Sequence, residues 1–92
     1  MNKYNLVLSG RFKKDLKQCV KRNLDISKMN VVVEMLLAGK QLPEKYQDHS
    51  LTGNWIGHHE CHIQPDWLLV YHIEDDILVL TLTRTGTHSD LF

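Results

Sequence analysis

The first half of this chain has no histidine, and the second half has almost no lysine or arginine. All six histidines lie beyond residue 48, and Arg84 is the only basic residue of the Lys/Arg type after residue 45. Long apolar runs are missing as well. None approaches the roughly 18 residues that a membrane-spanning helix needs, so no membrane role is expected. The opening Met1-Asn2-Lys3-Tyr4-Asn5-Leu6 has no signal-peptide pattern, and a cytoplasmic location is expected. Cysteine is scarce: Cys19 and Cys61 read as small packing residues, and a cytosolic chain of this size needs no disulfide. Disorder is excluded by an apolar share of 42%. A length of 92 residues suits one domain, taken as 1–92.

The formal net charge of zero hides a split. Residues 1–45 carry ten Lys/Arg against four acids, and residues 46–92 carry one against seven. Such an asymmetry suggests that the N-terminal half faces a polyanion.

Tyr4 to Leu8 reads as a short strand. Ser9 offers an N-cap for a helix running to about Asn23, with Phe12, Leu16, Cys19, Val20 and Asn23 on one face. Lys13, Lys14, Lys17 and Lys21 gather on the opposite face, either as a solvated surface or as a phosphate-tracking one. Asp25 or Ser27 can cap a second helix ending before Gly39, with Ile26, Met29, Val32, Val33, Leu36 and Leu37 as its apolar face. Residues 39–54 are loop-like. Three strand signals follow, at Trp55–Ile63, Trp67–Glu74 and Ile77–Arg84, with turns at Gln64-Pro65-Asp66 and Asp75-Asp76. In the last strand Leu78, Leu80 and Leu82 should share a face. The expected class is α+β: strand-helix-helix-three-strand, a small antiparallel sheet covered on one face by a two-helix hairpin.

The histidines supply candidate chemistry, because imidazole exchanges protons near neutral pH. His58, His59, Cys61 and His62 are dense enough to suggest a metal. In a strand, however, His58 and His62 would lie ~13 Å apart, too far to share a zinc with ligand distances near ~2 Å. No metal or other cofactor is expected. His58, His59 and His72 read as structural. His62 and Asp66 instead flank the first hairpin turn, and Arg84 and His88 end and follow the last strand. Antiparallel pairing would bring these four to one sheet edge, joining an acid, a base and a cation. Cleavage of RNA needs little more, since its own 2′-OH can attack the adjacent phosphate.

The segments Asp48-His49-x-Leu51-x-Gly53-x-Trp55, His62-Ile63-x-Pro65-Asp66-Trp67-Leu68-Leu69-Val70-Tyr71 and Arg84-x-Gly86-x-His88-Ser89-x-Leu91-Phe92 closely resemble the YafQ-like toxins of the RelE/ParE superfamily. The resemblance covers essentially the whole chain and implies a RelE-like fold. It further implies a toxin of a type II toxin–antitoxin system, an endoribonuclease that cuts mRNA in the ribosomal A site without a metal. Its implied partners are a cognate antitoxin, mRNA and the ribosome with its RNA. Carried over by position, the family's functional residues fall on His49, His62, Asp66, Trp67, Arg84, His88 and Phe92. His88 and Asp66 are expected to share the proton transfers, with His49 and His62 supporting them or exchanging roles with them, and with Arg84 on the phosphate. Trp67 and Phe92 would stack on bases, Trp67 being equally readable as a core aromatic. Beside this family the lysine face of the first helix reads as a contact to ribosomal RNA or to an acidic antitoxin segment. One departure is His59, where relatives often carry Arg ahead of the acidic position held by Glu60. The rival implied by the wider superfamily is a non-catalytic, ParE-like toxin that binds DNA gyrase.

Overall fold

Ser9 accepts a hydrogen bond from the Phe12 N–H at 2.9 Å and donates its own hydroxyl to the Thr83 carbonyl at 2.7 Å. One side chain thus starts the first helix and moors it to the last strand. In the computed structural model, which describes residues 2–92, β1 (Asn5–Leu8) leads into α1 (Gly10–Lys21) and α2 (Ile26–Leu37). A 3-10 turn at Glu44–Tyr46, β2 (His49–Ser50) and a second 3-10 turn at Gly53–Trp55 follow. The chain closes with β3 (His59–Gln64), β4 (Trp67–Glu74), β5 (Val79–Gly86) and the single turn α3 (His88–Leu91).

The five strands lie in the order β1-β5-β4-β3-β2. The expected antiparallel meander is present as β3-β4-β5, but the sheet is mixed, because β1 joins β5 in parallel. After the helices the chain re-enters at the opposite edge on β2, antiparallel to β1, and the three reversals that follow bring β5 back parallel to it.

Caps and apolar spacing account for the helices. Asp25 accepts from the Ser27 N–H at 3.0 Å at the start of α2, and Gly39 ends that helix at φ 76°. The face toward the helices holds the main core. Phe12, Cys19, Met29, Val32 and Leu36 bury against Cys61, Trp67, Leu69, Tyr71, Leu80 and Leu82. Each large side chain buried there contributes about 2 kcal/mol.

Three local expectations give way. The helix ends at Lys21 and Asn23 takes φ 61°, while Val20 is 56% exposed, so neither joins the buried face. The strand expected from Trp55 starts at His59, because Gly53–Trp55 coils into a 3-10 turn and Gly57 takes φ 91°. The last strand starts at Val79 rather than Ile77; Leu78 sits in the turn at φ 53°, exposed, off the face of Leu80 and Leu82.

Candidate active site

The sheet face without helices carries a thin apolar cluster of Leu68, Val70 and Leu91, with Leu51 and Trp55 packed on it. Cross-strand pairs fix which polar residues share that face. Glu60 pairs with Val70 and His62 with Leu68, and directly opposed residues of an antiparallel pair point the same way. His49 pairs with Glu60 from the short β2, and Gly86 at the end of β5 pairs with Leu68. His62, Leu68 and Gly86 therefore form one row, and His88 begins two residues past it. The pairing thus brings His62 and the start of α3 to one end of the sheet.

Glu60 is the center of this arrangement and was not expected as a site residue. It is 4% exposed, with the Nε2 of His49 at 3.5 Å and the Nε2 of His62 at 3.9 Å. The other ring nitrogens face carbonyls: His49 Nδ1 lies 2.9 Å from the Gln47 oxygen and His62 Nδ1 3.2 Å from the Pro65 oxygen. A carbonyl only accepts, so each Nδ1 carries a hydrogen, and Nε2 is where each ring gains or gives a second proton. Both exchangeable nitrogens thus face one buried carboxylate. The signal was readable, since residues 60 and 62 alternate onto one strand face. It was obscured because Glu60 contacts His49 across a strand too short to recognise.

The position of His88 is set by α3. Thr87 caps this turn, accepting from the Asp90 N–H at 3.2 Å, and the Thr87 N–H returns a bond to Asp90 at 2.9 Å. Arg22, the C-cap of α1, grips the same carboxylate at 2.6 and 3.2 Å, which holds Asp90 far below the usual carboxylate range. Leu91 plugs into the thin cluster. Phe92 stays 53% exposed, its ring 5.5 Å from that of His88 and 5.8 Å from that of Trp55. A base could stack on it. His58 continues this aromatic row at 5.6 Å from Trp55, and His72 lies 5.2 Å further on. His59, on the helix side, stacks on Tyr71 at 5.4 Å.

Two expected residues stand differently. Trp67 is 2% exposed, and its indole N–H donates to Thr85 at 2.9 Å. It offers no ring face to a base and takes its alternative reading, a core aromatic. Arg84 is bound to Asp15 of α1 through Nε at 2.7 Å and Nη2 at 3.2 Å, with side chains only 13% and 14% exposed. Three of its five N–H donors remain. Asp66 is exposed in the hairpin turn, and Lys13, Lys14, Lys17 and Lys21 are exposed along α1. Among the described residues, no group of three or more His, Cys, Asp or Glu is arranged to hold a metal ion.

Comparison with known proteins identifies the family and the fold. A family model described as the bacterial toxin of type II toxin–antitoxin systems, YafQ, matches residues 4–92. The mRNA interferase toxin YafQ of Escherichia coli K12 is 40% identical over 85 residues, covering 91% of this chain and 90% of that protein. The E. coli DinJ–YafQ toxin–antitoxin complex contains a chain that superposes with a TM-score of 0.90 at 37% identity, covering 98% of each. A metal-bound toxin from Helicobacter pylori superposes with a TM-score of 0.91 at 42% identity, covering 97% of this chain and 99% of that one. With the match spanning nearly its whole length, this chain belongs to the YafQ family of bacterial toxins of type II toxin–antitoxin systems.

Proposed function

We propose that this protein is an mRNA interferase: an endoribonuclease that cuts message in the ribosomal A site without a metal ion and is neutralised by a cognate antitoxin. The supporting observation is the pair of imidazole Nε2 atoms, from His49 and His62, turned on Glu60 in the row that leads to His88. An imidazole without a proton on Nε2 takes the proton of the 2′-OH, and the 2′-oxygen attacks the neighbouring phosphorus. The bond from phosphorus to the 5′-oxygen breaks, and a second group donates its proton to that oxygen. The products are a 2′,3′-cyclic phosphate and a 5′-hydroxyl. His88 and Asp66 share these transfers, with His49 and His62 in support. The free N–H donors of Arg84 meet the charge that builds on the phosphate. Phe92 stacks on a base, and the lysine face of α1 lies against ribosomal RNA.

Primer extension on mRNA from cells briefly expressing the protein, beside its His88→Ala variant, tests the reading. Discrete cuts inside codons that vanish in the variant are expected. Intact mRNA with arrested growth would overturn it in favour of a binding target such as gyrase. Because an H. pylori relative is described as metal-bound, the same cutting is repeated in EDTA. Loss of cutting there would overturn the metal-independent part alone.

A further inference from the structure

Beside His62 lies a cleft of about 510 Å3, walled by Lys28 and Val31 of α2, by Lys45 and Tyr46 of the first 3-10 turn, and by Gln64 past His62. It falls within the roughly 300–1,000 Å3 of small-ligand sites. Its chemistry is uneven in a telling way. Lys28 and Lys45 are exposed and stand in no ion pair among the described residues. The Lys45 ammonium hovers 5.1 Å from the Tyr46 ring center, and Tyr46 is half-buried with one side packed on the core. The outer edge of β3 is also open here, because β2 pairs only with His59 and Glu60. From Cys61 onward that edge has no strand partner in the described structure, so its outward polar backbone groups face the cleft side.

We propose that this cleft holds the mRNA nucleotide next to the one being cut, and that Tyr46 helps select its base. The inference rests on the RNA-cleaving reading above. Two unpaired cations suit a phosphate, a braced aromatic ring suits a base, and an amide with an open strand edge can read the base's polar rim. His62 belongs to both the cleft wall and the Glu60 cluster, so a nucleotide seated here is adjacent to the proton-exchanging groups. A peptide could also add to an open strand edge, but the two lysines and the aromatic platform favour RNA.

The test uses programmed ribosomes and a reporter mRNA, read by primer extension for wild type, Lys28→Ala/Lys45→Ala, Tyr46→Ala, Tyr46→Phe and His88→Ala. The lysine variant is expected to cut about tenfold more slowly and with a shallower salt dependence. Tyr46→Ala is expected to change the ranking of cut codons, and Tyr46→Phe to retain it. Wild-type rates and ranking in all cleft variants, with His88→Ala inactive, would overturn the subsite and leave the nuclease reading standing. A uniform loss in Tyr46→Ala without re-ranking would also overturn base selection. Unchanged cutting with lost antitoxin binding would make the cleft a peptide groove instead. Intact message with wild type would remove the nuclease reading and the subsite together. The lysines are exposed, so their variant keeps the test decisive even if Tyr46→Ala unfolds.

Discussion

Glu60 stands directly opposite His49 in the β2–β3 ladder, and its buried carboxylate serves the His62 ring as well. A glutamine there keeps the shape and removes the charge that both rings face. Glu60→Gln is expected to lower the cutting rate by about 10²-fold, the low end of what one acid–base group contributes. Circular dichroism should report an unchanged fold. Cutting at the wild-type rate would reduce Glu60 to a packing residue.

The Asp15–Arg84 pair joins α1 to β5 with both side chains largely buried. Removing one partner of a buried pair leaves the other charge uncompensated, and Asp15→Ala should cost about 3 kcal/mol in urea unfolding. Asp15→Ala/Arg84→Ala should cost less than the two single changes added together. Strict additivity would mean that the contact carries no coupling.

Alkali should weaken the fold. Burial pushes the Cys61 thiol from its ordinary 9.0 up to about 12, and burial together with the bond to Asp48 raises the Tyr71 hydroxyl above its ordinary 10.0. The unfolded chain loses these protons at the ordinary values while the folded chain keeps them. Stability is therefore untouched at neutral pH and falls by about 1.4 kcal/mol per pH unit for each group, from pH 9.0 for Cys61 and from pH 10.0 for Tyr71. Melting temperatures between pH 8 and 11 should show this fall, and Tyr71→Phe should flatten it. An equal slope in that variant would point to other groups.

Gly86 lies where a side chain would collide with the Asp90 cap: an added Cβ would sit 2.9 Å from the carboxylate oxygen and 3.0 Å from its Cβ. Gly86→Ala should displace α3, and His88 with it, while the core under the helices stays whole. Cutting is expected to drop at least tenfold with a melting temperature close to wild type. Full activity would show that α3 tolerates the shift.

Much of this site was legible because hairpins are local. The turn at Pro65-Asp66 and the alternating pattern of β4 and β5 placed His62, Asp66 and His88 at one end of the sheet. Arg84 was rightly placed along the chain, but its partner Asp15 lies 69 residues earlier, and no local pattern shows such a pairing. The same holds for β1, whose spacing marks a strand without naming its neighbour or direction. Trp67 read equally well as a stacking platform or a core ring, since strand alternation gives a face and not its cover. Glu60 went unread because the two-residue β2 is below the length at which alternation can be seen.

The pairing of β1 with β5 sets Asn5 beside Val79, and every polar tether of α1 described above also ends at or beyond β5. During synthesis, a chain stopped short of Val79 has a first strand without its neighbour and a basic helix without its moorings. Contacts of such long range are costly to close, and they form late. The β1–β5 pairing and the moorings of α1 can therefore form only once Val79 and the residues after it have been made, and the Arg22 brace on the Asp90 cap that positions His88 is the last of them to become available.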